Sequence, residues 1–531
     1  MLFTAQTIPY SSTHLFSKIV LHYLSGENVL KPFYTATPSI DAIQEAIRQK
    51  EAQQIDRAAL VQVLKSQYTS VSPSKKVSEN IEALLQPQTF TICTAHQPNL
   101  FTGPLYFIYK ILHTIKLAQT LQQQLPQHHF VPVFYMGSED ADKEELAHTW
   151  LQGKKYNWNT AQTGAFGRMT LDKEITKLVA EMSGQLLVQP YGKEVVELLK
   201  ACYTEGKTVQ QATFEIVNQL FGKWGLIVLI ADHAELKKAM LPVFEADLFG
   251  QQPSQLVEES VKQLGEHYNV QANPRDINLF YLKDDIRERI VKVEEHYAVN
   301  HTDIRFTEDE LKQELQNHPE RFSPNVILRG LYQETILPNI AFIGGGGELA
   351  YWLQLKSLFE HYNTPFPLLV LRNSFLIIEK KWQQKIDKLH LQTSQLFLSE
   401  LDILNELLEA QGRRPQLNGE VEKLENLYDG LKQSAAAVDV TLLQHVEALK
   451  VQALNRVQKL EKKMQRAERK KHEDLKSGIA AIKQQLFPRG GLQERVENFA
   501  TFYAQWGPQF IDALLDNSLS LEQQFVILQE A

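Results

Sequence analysis

A chain of 531 residues, 43% hydrophobic and 22% charged, is too long for one simple domain and has the composition of a globular protein. Its net charge of -8 and pI near 6.1 exclude bulk attraction to nucleic acid or to an anionic membrane. Two cysteines, Cys93 and Cys202, exclude a disulfide scaffold and a cysteine-rich zinc site, and suit a reducing compartment. The opening Met1-Leu2-Phe3-Thr4-Ala5-Gln6 lacks the basic start and apolar run of a signal peptide. No stretch approaches the roughly 18 apolar residues of a membrane span, and together these features predict a cytoplasmic protein.

In chain order, a helical stretch at about 41–85 precedes the first strand-sized apolar run, Phe90-Thr91-Ile92-Cys93. Tyr106 to Leu112 then opens a helix, and Phe130 to Tyr135 reads as a second buried strand. A second helical stretch at about 172–221 leads to Leu226–Ile230. Further runs follow at Asn278–Leu282, Ile340–Ile343 and Leu368–Leu371, with Leu349 to Leu353 opening a helix between the last two. Strand, loop and helix in repetition predict a Rossmann-like α/β core over 1–375, interrupted by helical connective insertions.

Beyond about Asn373 glycine and proline become scarce. A helix is predicted from about Phe375 to Ala410, with a break at Gly412–Gly419. Val457, Leu460, Met464 and Ala467 follow three-four spacing, as do Leu475, Ile479, Ile482 and Leu486, with a stutter between the two runs. These helices predict a long antiparallel α-helical coiled coil over 376–487, ended by Phe487-Pro488-Arg489-Gly490-Gly491. The aromatic-rich segment 488–531 is expected to be helical and to pack back on the core. The basic run Lys459–Lys471 is broken by Glu461 and Glu468 and reads as a solvated coiled-coil face.

Four segments can carry chemistry. Thr94 to Tyr106 runs from the first core strand into a helix, where free N–H groups and the dipole favour phosphate or carboxylate. Within it, His96 can hydrogen-bond a phosphate and Thr102 can donate a hydroxyl, with Lys110 further along the helix. A plain turn in which Gly103 and Pro104 start the helix explains the same residues. Gly137 to Glu145, followed by His148, places Glu139 and Asp140 at a strand's carboxyl end, suited to an amine, a ribose hydroxyl or Mg²⁺. A solvated first helical turn is the bland counterpart. The spacing matches no specific metal-ligand motif.

Gly344-Gly345-Gly346-Gly347-Glu348 lies between a strand and a helix. Four glycines let backbone approach a ligand and offer an anion nest, or simply make a tight connection. Ser323-Pro324-Asn325 leads to Arg329, a carboxylate or phosphate clamp or a surface salt bridge. Cys93 falls in a predicted buried strand and reads as core.

At these residues the chain resembles the bacillithiol biosynthesis cysteine-adding enzymes (BshC, cysteine ligases). The matching segments are His96-Gln97 followed by Leu100-Phe101-Thr102-Gly103-Pro104-Leu105-Tyr106 and Lys110, and Pro132-Val133-Phe134 leading to Glu139-Asp140. They continue with Asn278 to Leu282, Ser323-Pro324-Asn325 with Arg329, Leu337-Pro338 through Gly344-Gly345 and Glu348, and Phe487-Pro488 with Leu492-Gln493-Glu494-Arg495. The order is kept over nearly the whole chain. Family members often carry glycine at the Ala95 position and proline at Gly346.

The resemblance implies a core related to class I aminoacyl-tRNA synthetases, a homodimer through the coiled coil, and attachment of cysteine to the amine of glucosaminyl-malate. His96, Glu139 and Asp140 are then the expected catalytic residues. Gln97, Asn99, Thr102, Tyr106, Lys110, His148, Arg329, Gly344 to Gly347 and Glu348 are expected to bind substrate. An adenine nucleotide, ATP or ADP, is implied, with an ADP pocket near Phe487, Gly490, Gln493 and Arg495. Partners are small molecules, not nucleic acid or membrane. A sugar-nucleotide transferase on a similar fold and a non-enzymatic coiled-coil scaffold are the alternative readings.

Overall fold

The computed structural model describes residues 2–531. These separate into two compact units. The first comprises the N-terminal segment through Ser11, Leu15–Ile377 and Gly491–Ala531; the second comprises Ser12–His14 and Ile378–Gly490.

The first unit is built on five parallel strands: β1 (Thr89–His96), β2 (His129–Met136), β3 (Ile227–Ile230), β4 (Asn339–Gly344) and β5 (Leu368–Leu371). They are almost continuously apolar because both sheet faces are covered. Phe90, Ile92, Phe130, Ile343 and Val370 join one core cluster with Leu117 and Leu121 of helix α1 (Tyr106–Gln124). The spatial order is β5-β4-β1-β2-β3. Chain direction through the sheet therefore reverses between β1 and β4, and the crevice beyond their carboxyl ends is where such sheets take ligands.

Two further helices shape that crevice: α2 (Val326–Ile336) and α3 (Gly346–Trp352). Each helical insertion resolves into three helices. They are Ile40–Glu51, Arg57–Gln67 and Lys75–Ala83 in the first, and Lys173–Leu186, Gly192–Cys202 and Val209–Phe221 in the second.

An antiparallel five-stranded sheet, of which only Leu279–Lys283 was expected, adds Ile286–Val293, His296–Val299, Arg305–Phe306 and Phe322–Pro324. The final segment is not wholly helical. After Phe499–Trp506 and Pro508–Asp516 it ends in strand Gln524–Glu530, paired antiparallel with Phe3–Pro9.

In the second unit, Asn418–Val438 and Leu442–Lys470 form an antiparallel hairpin joined by a three-residue turn. Lys432–Glu447 and Lys450–Asp429 ion pairs cross it at 2.6 and 2.7 Å. The predicted stutter is a break at Lys471–His472, after which Glu473–Leu486 packs on Glu400–Ala410. The single helix expected from Phe375 to Ala410 is instead a strand, Phe375–Ile378, followed by helices Lys380–Lys388 and Glu400–Ala410. Phe375, Leu376, Ile377 and Ile378 are all buried, a strand-length apolar run rather than the stripe of an amphipathic helix.

Candidate functional site

A cavity of about 500 Å³ opens at the reversal point of the sheet. Three distant stretches meet around it: Ala95, His96 and Gln97 from the end of β1, Gly137, Asp140 and Asp142 after β2, and Gly345 to Glu348 after β4. Tyr106 of α1, Asn325 and Arg329 at the start of α2, and Tyr351 of α3 complete the walls with Phe280, Arg287, Arg372 and Arg495.

The turn after β1 is held in an unusual conformation. Phe101, Thr102 and Gly103 all have positive φ, at 53°, 69° and 64°. For a β-branched threonine this is a strained conformation, sustained only where surrounding contacts fix it. Asn498 supplies those contacts, donating from Nδ2 to the carbonyls of Phe101 (2.8 Å) and Gly103 (2.6 Å). A Cβ at Gly103 would lie 2.7 Å from the Cβ of Asn99, so only glycine fits. This turn buries Asn99 and Thr102 away from the cavity. Thr102 therefore does not present its hydroxyl there, contrary to expectation, while the turn delivers Tyr106 to the wall.

His96 is half-buried, and its partial loss of solvent, with the nearby Lys110 ammonium, drops its pKa to about 4. The ring is therefore neutral near pH 7. Its Nδ1 lies 3.0 Å from the carbonyl of Gln97, which can only accept, so Nδ1 carries the proton and Nε2 keeps a lone pair. Lys110 lies behind the wall rather than in it. Its ammonium donates to the Ala95 carbonyl (2.5 Å) and to both oxygens of Glu348 (2.8 and 2.6 Å). Glu348 in turn accepts the N–H of Gly345 at 2.8 Å. The lysine thus ties the end of β1 to the glycine loop after β4. One backbone donor of that loop is already committed to Glu348.

Glu139 and Asp140, adjacent in sequence, face different partners. Glu139 is buried off the cavity against Lys237, which also bonds Asp232 at 3.3 Å; burial raises the Glu139 pKa. Asp140 lines the cavity and takes two parallel bonds from Arg329 (2.7 and 2.5 Å), with Arg287 at 3.2 Å. Burial works against its ionisation, but Arg329 and Arg287 outweigh it and hold the carboxyl below its usual range. A carboxylate so paired is a poor proton acceptor. Asp140 orients guanidinium groups instead.

His148 does not line the cavity; its Nδ1 donates to the carbonyl of Glu144 at 3.0 Å. Gly344 ends β4, and its carbonyl accepts the N–H of Arg372 at 2.8 Å. A Cβ there would meet the Phe342 ring at 2.8 Å, so its glycine serves packing rather than ligand approach. At Gly347 a Cβ would meet nothing within 4 Å. Of the residues placed in a nucleotide pocket, Arg495 lines this cavity. Gln493 is buried and hydrogen-bonds both the N–H and the carbonyl of Ile377, at 3.0 and 3.3 Å. Phe487 and Gly490 belong to the second unit.

Arg372 and Arg287 were not foreseen. Arg372 follows β5 immediately, lies over the Tyr106 ring at 5.2 Å, and pairs with buried Glu494 at 2.7 Å. Arg287 lies over Phe280 at 4.0 Å. His96, Gly137, Gly345 and Arg372 each end or follow a central strand, and that position was the available signal. Among the described residues no group of three or more His, Cys, Asp or Glu side chains is placed to hold a metal, and no helix is long and apolar enough to cross a membrane.

Comparison with known proteins matches residues 3–373 to the family described as bacillithiol biosynthesis BshC, N-terminal Rossmann-like domain. Residues 375–530 match its C-terminal coiled-coil domain. Curated relatives carry the name "Putative cysteine ligase BshC". One from Cytophaga hutchinsonii is 41% identical over 503 residues, covering 94% of each chain. One from Flavobacterium johnsoniae is 38% identical, covering 98% of this chain and 99% of its own. One from Chlorobaculum tepidum is 31% identical over 86% of each.

Proposed function

Because the chain belongs to the bacillithiol biosynthesis BshC family, we propose that it is a ligase joining the carboxyl of L-cysteine to the amine of glucosaminyl-malate. The observation that carries this reading is the convergence of the β1, β2 and β4 ends on one cavity that combines four guanidinium groups with a half-buried neutral histidine.

Amide formation from a free carboxylate is uphill in water, so the carboxylate must first be activated. In the proposed sequence the cysteine carboxylate attacks the α-phosphate of ATP. An acyl-adenylate forms and pyrophosphate leaves. The sugar amine then attacks the acyl carbon, the C–N bond forms, AMP leaves, and the amine yields one proton. Mg²⁺ would enter with the triphosphate.

Roles follow from the geometry. The Nε2 lone pair of His96 can accept a hydrogen bond from the attacking amine and orient it. With its pKa at about 4 it holds the full proton no better than paired Asp140, so the proton passes on to solvent or to the departing AMP. Arg329 and Arg287, fixed by Asp140, offer their remaining N–H groups to phosphate or carboxylate. Gln97, Tyr106 and the backbone of Gly345 to Gly347 shape the ligand's bed. Lys110 and Glu348 hold that bed in place.

Homodimerisation through the hairpin belongs to the same reading. Leu427, Leu431 and Leu460 are 58%, 47% and 52% exposed, an apolar content that a second helical pair would cover.

The test is mass spectrometry of purified protein incubated with cysteine, glucosaminyl-malate and ATP, beside a control without ATP. One added cysteinyl unit that needs ATP supports the proposal. Cysteine-dependent exchange of pyrophosphate into ATP tests the adenylate, and its absence from active enzyme would point to another activation route.

A further inference from the structure

We infer that Arg495 is the guanidinium that recognises the anionic group of the ligand in this cavity, a specificity-determining contact supplied by the segment that follows the coiled coil. The inference rests on the cavity being the substrate site.

Four guanidinium groups and three carboxylates line the cavity, with His96 neutral, so the lining is one charge positive. Immediately behind it, Lys110 and Glu494 cancel each other. Three of the four arginines are already engaged. Arg329 and Arg287 share Asp140, and Arg372 is held by Glu494, by Ser374 Oγ at 3.0 Å and by the Asn373 carbonyl at 3.0 Å. Arg495 has no side-chain hydrogen bond and no ion pair among the described residues, and it is exposed at the cavity wall. An unpaired guanidinium beside a cavity of net positive charge suits a bidentate oxyanion, carboxylate or phosphate.

Its backbone is fixed even though its side chain is free. Gln493 bonds the backbone of Ile377, Glu494 is buried on Arg372, the Glu497 carbonyl accepts the N–H of Leu105 at 2.8 Å, and Asn498 clasps the strained turn after β1. Arg495 therefore projects from one of the firmly tied strips of the site. Such anchoring reduces what must be ordered when a ligand binds.

The test is calorimetric titration of the full-length protein with L-malate and, separately, with inorganic pyrophosphate, comparing wild type, Arg495→Gln and Arg495→Lys. Because Arg495 is exposed and bonds no other side chain, Arg495→Gln is expected to fold with an unchanged thermal transition. Its affinity for one probe is expected to fall about tenfold or more, the loss expected when a charged hydrogen bond is removed. Arg495→Lys is expected to recover part of that loss. Loss confined to malate identifies the acceptor's carboxylate as the partner, and loss confined to pyrophosphate identifies the nucleotide's phosphate. Wild-type affinity for both probes in Arg495→Gln would overturn the assignment while leaving the cavity as the site. Failure of wild type itself to bind either probe would overturn the assignment together with the reading of the cavity.

Discussion

Arg329 holds Asp140 through two parallel bonds of 2.7 and 2.5 Å, and this pair joins the loop after β2 to the first turn of α2. Asp140→Asn would leave two guanidinium groups facing a neutral amide. Breaking a buried pair from one side costs about 3–5 kcal/mol. Urea unfolding is expected to show a loss of that order, and turnover should fall with it; a variant of wild-type stability would show that solvent already screens the pair.

Lys110 offers a second test. Lys110→Met removes the ammonium that ties Ala95 to Glu348 and leaves a carboxylate against the glycine loop. Hydrogen exchange over residues 344–348 is expected to accelerate, with Lys110→Arg intermediate. Unchanged exchange would mean that Glu348 alone fixes the loop.

Acid stability depends on two histidines held neutral, His113 buried and His96 half-buried. His113 accepts the N–H of Asn373 at Nδ1 (3.0 Å) and donates from Nε2 to Ser520 (2.7 Å), a neutral tautomer with both nitrogens used. Burial drops its pKa, like that of His96, to about 4. A group whose folded pKa lies below its unfolded value gives stability that is present above the unfolded value near 6.5 and is lost as pH falls through 4. Buried His113 carries on the order of 3 kcal/mol across that window, and half-buried His96, screened by solvent, carries less. Asp247 runs the other way: burial pushes it up to about 7, so its contribution is present at low pH and is lost as pH rises through 7. Between pH 6.5 and 4 Asp247 opposes the histidines, and His113→Gln is expected to make the change in unfolding free energy across that range, measured with urea, less unfavourable by on the order of 3 kcal/mol relative to wild type. An equal change in variant and wild type would remove His113 from the account.

Gly103→Ala would force a Cβ to 2.7 Å from Asn99 at a φ of 64°. Strain of this kind costs on the order of 1–3 kcal/mol, and the clash adds to it. Thermal unfolding is expected to move down by several degrees, whereas Gly347→Ala, with nothing within 4 Å of the new methyl, should leave the transition near its wild-type position.

The parallel core was legible because strands buried on both faces must be apolar throughout. The runs at Phe90, Phe130, Leu226, Ile340 and Leu368 carry that signature without competing periodicity. The antiparallel sheet was mostly hidden. Ile286-Arg-Glu-Arg-Ile-Val-Lys-Val is half exposed and charged, so its alternation is weak, and Arg287 went unassigned with it. For Glu139 and Asp140, adjacency in sequence could not say which carboxylate enters the cavity; Lys237, nearly a hundred positions away, decides it. Thr102 was misplaced because a left-handed threonine leaves no trace in composition. It depends on Asn498, 396 positions later.

That distance has a consequence for synthesis. The last central strand ends at Leu371, yet Glu494, Arg495 and Asn498 emerge only after the whole coiled coil has been translated. A nascent chain can lay down its parallel sheet early, but its cavity lacks one wall and its first turn lacks a clasp until the ribosome has nearly finished. The ligand pocket is thus completed late, and a chain cut short within the hairpin would carry every central strand and still have no finished pocket.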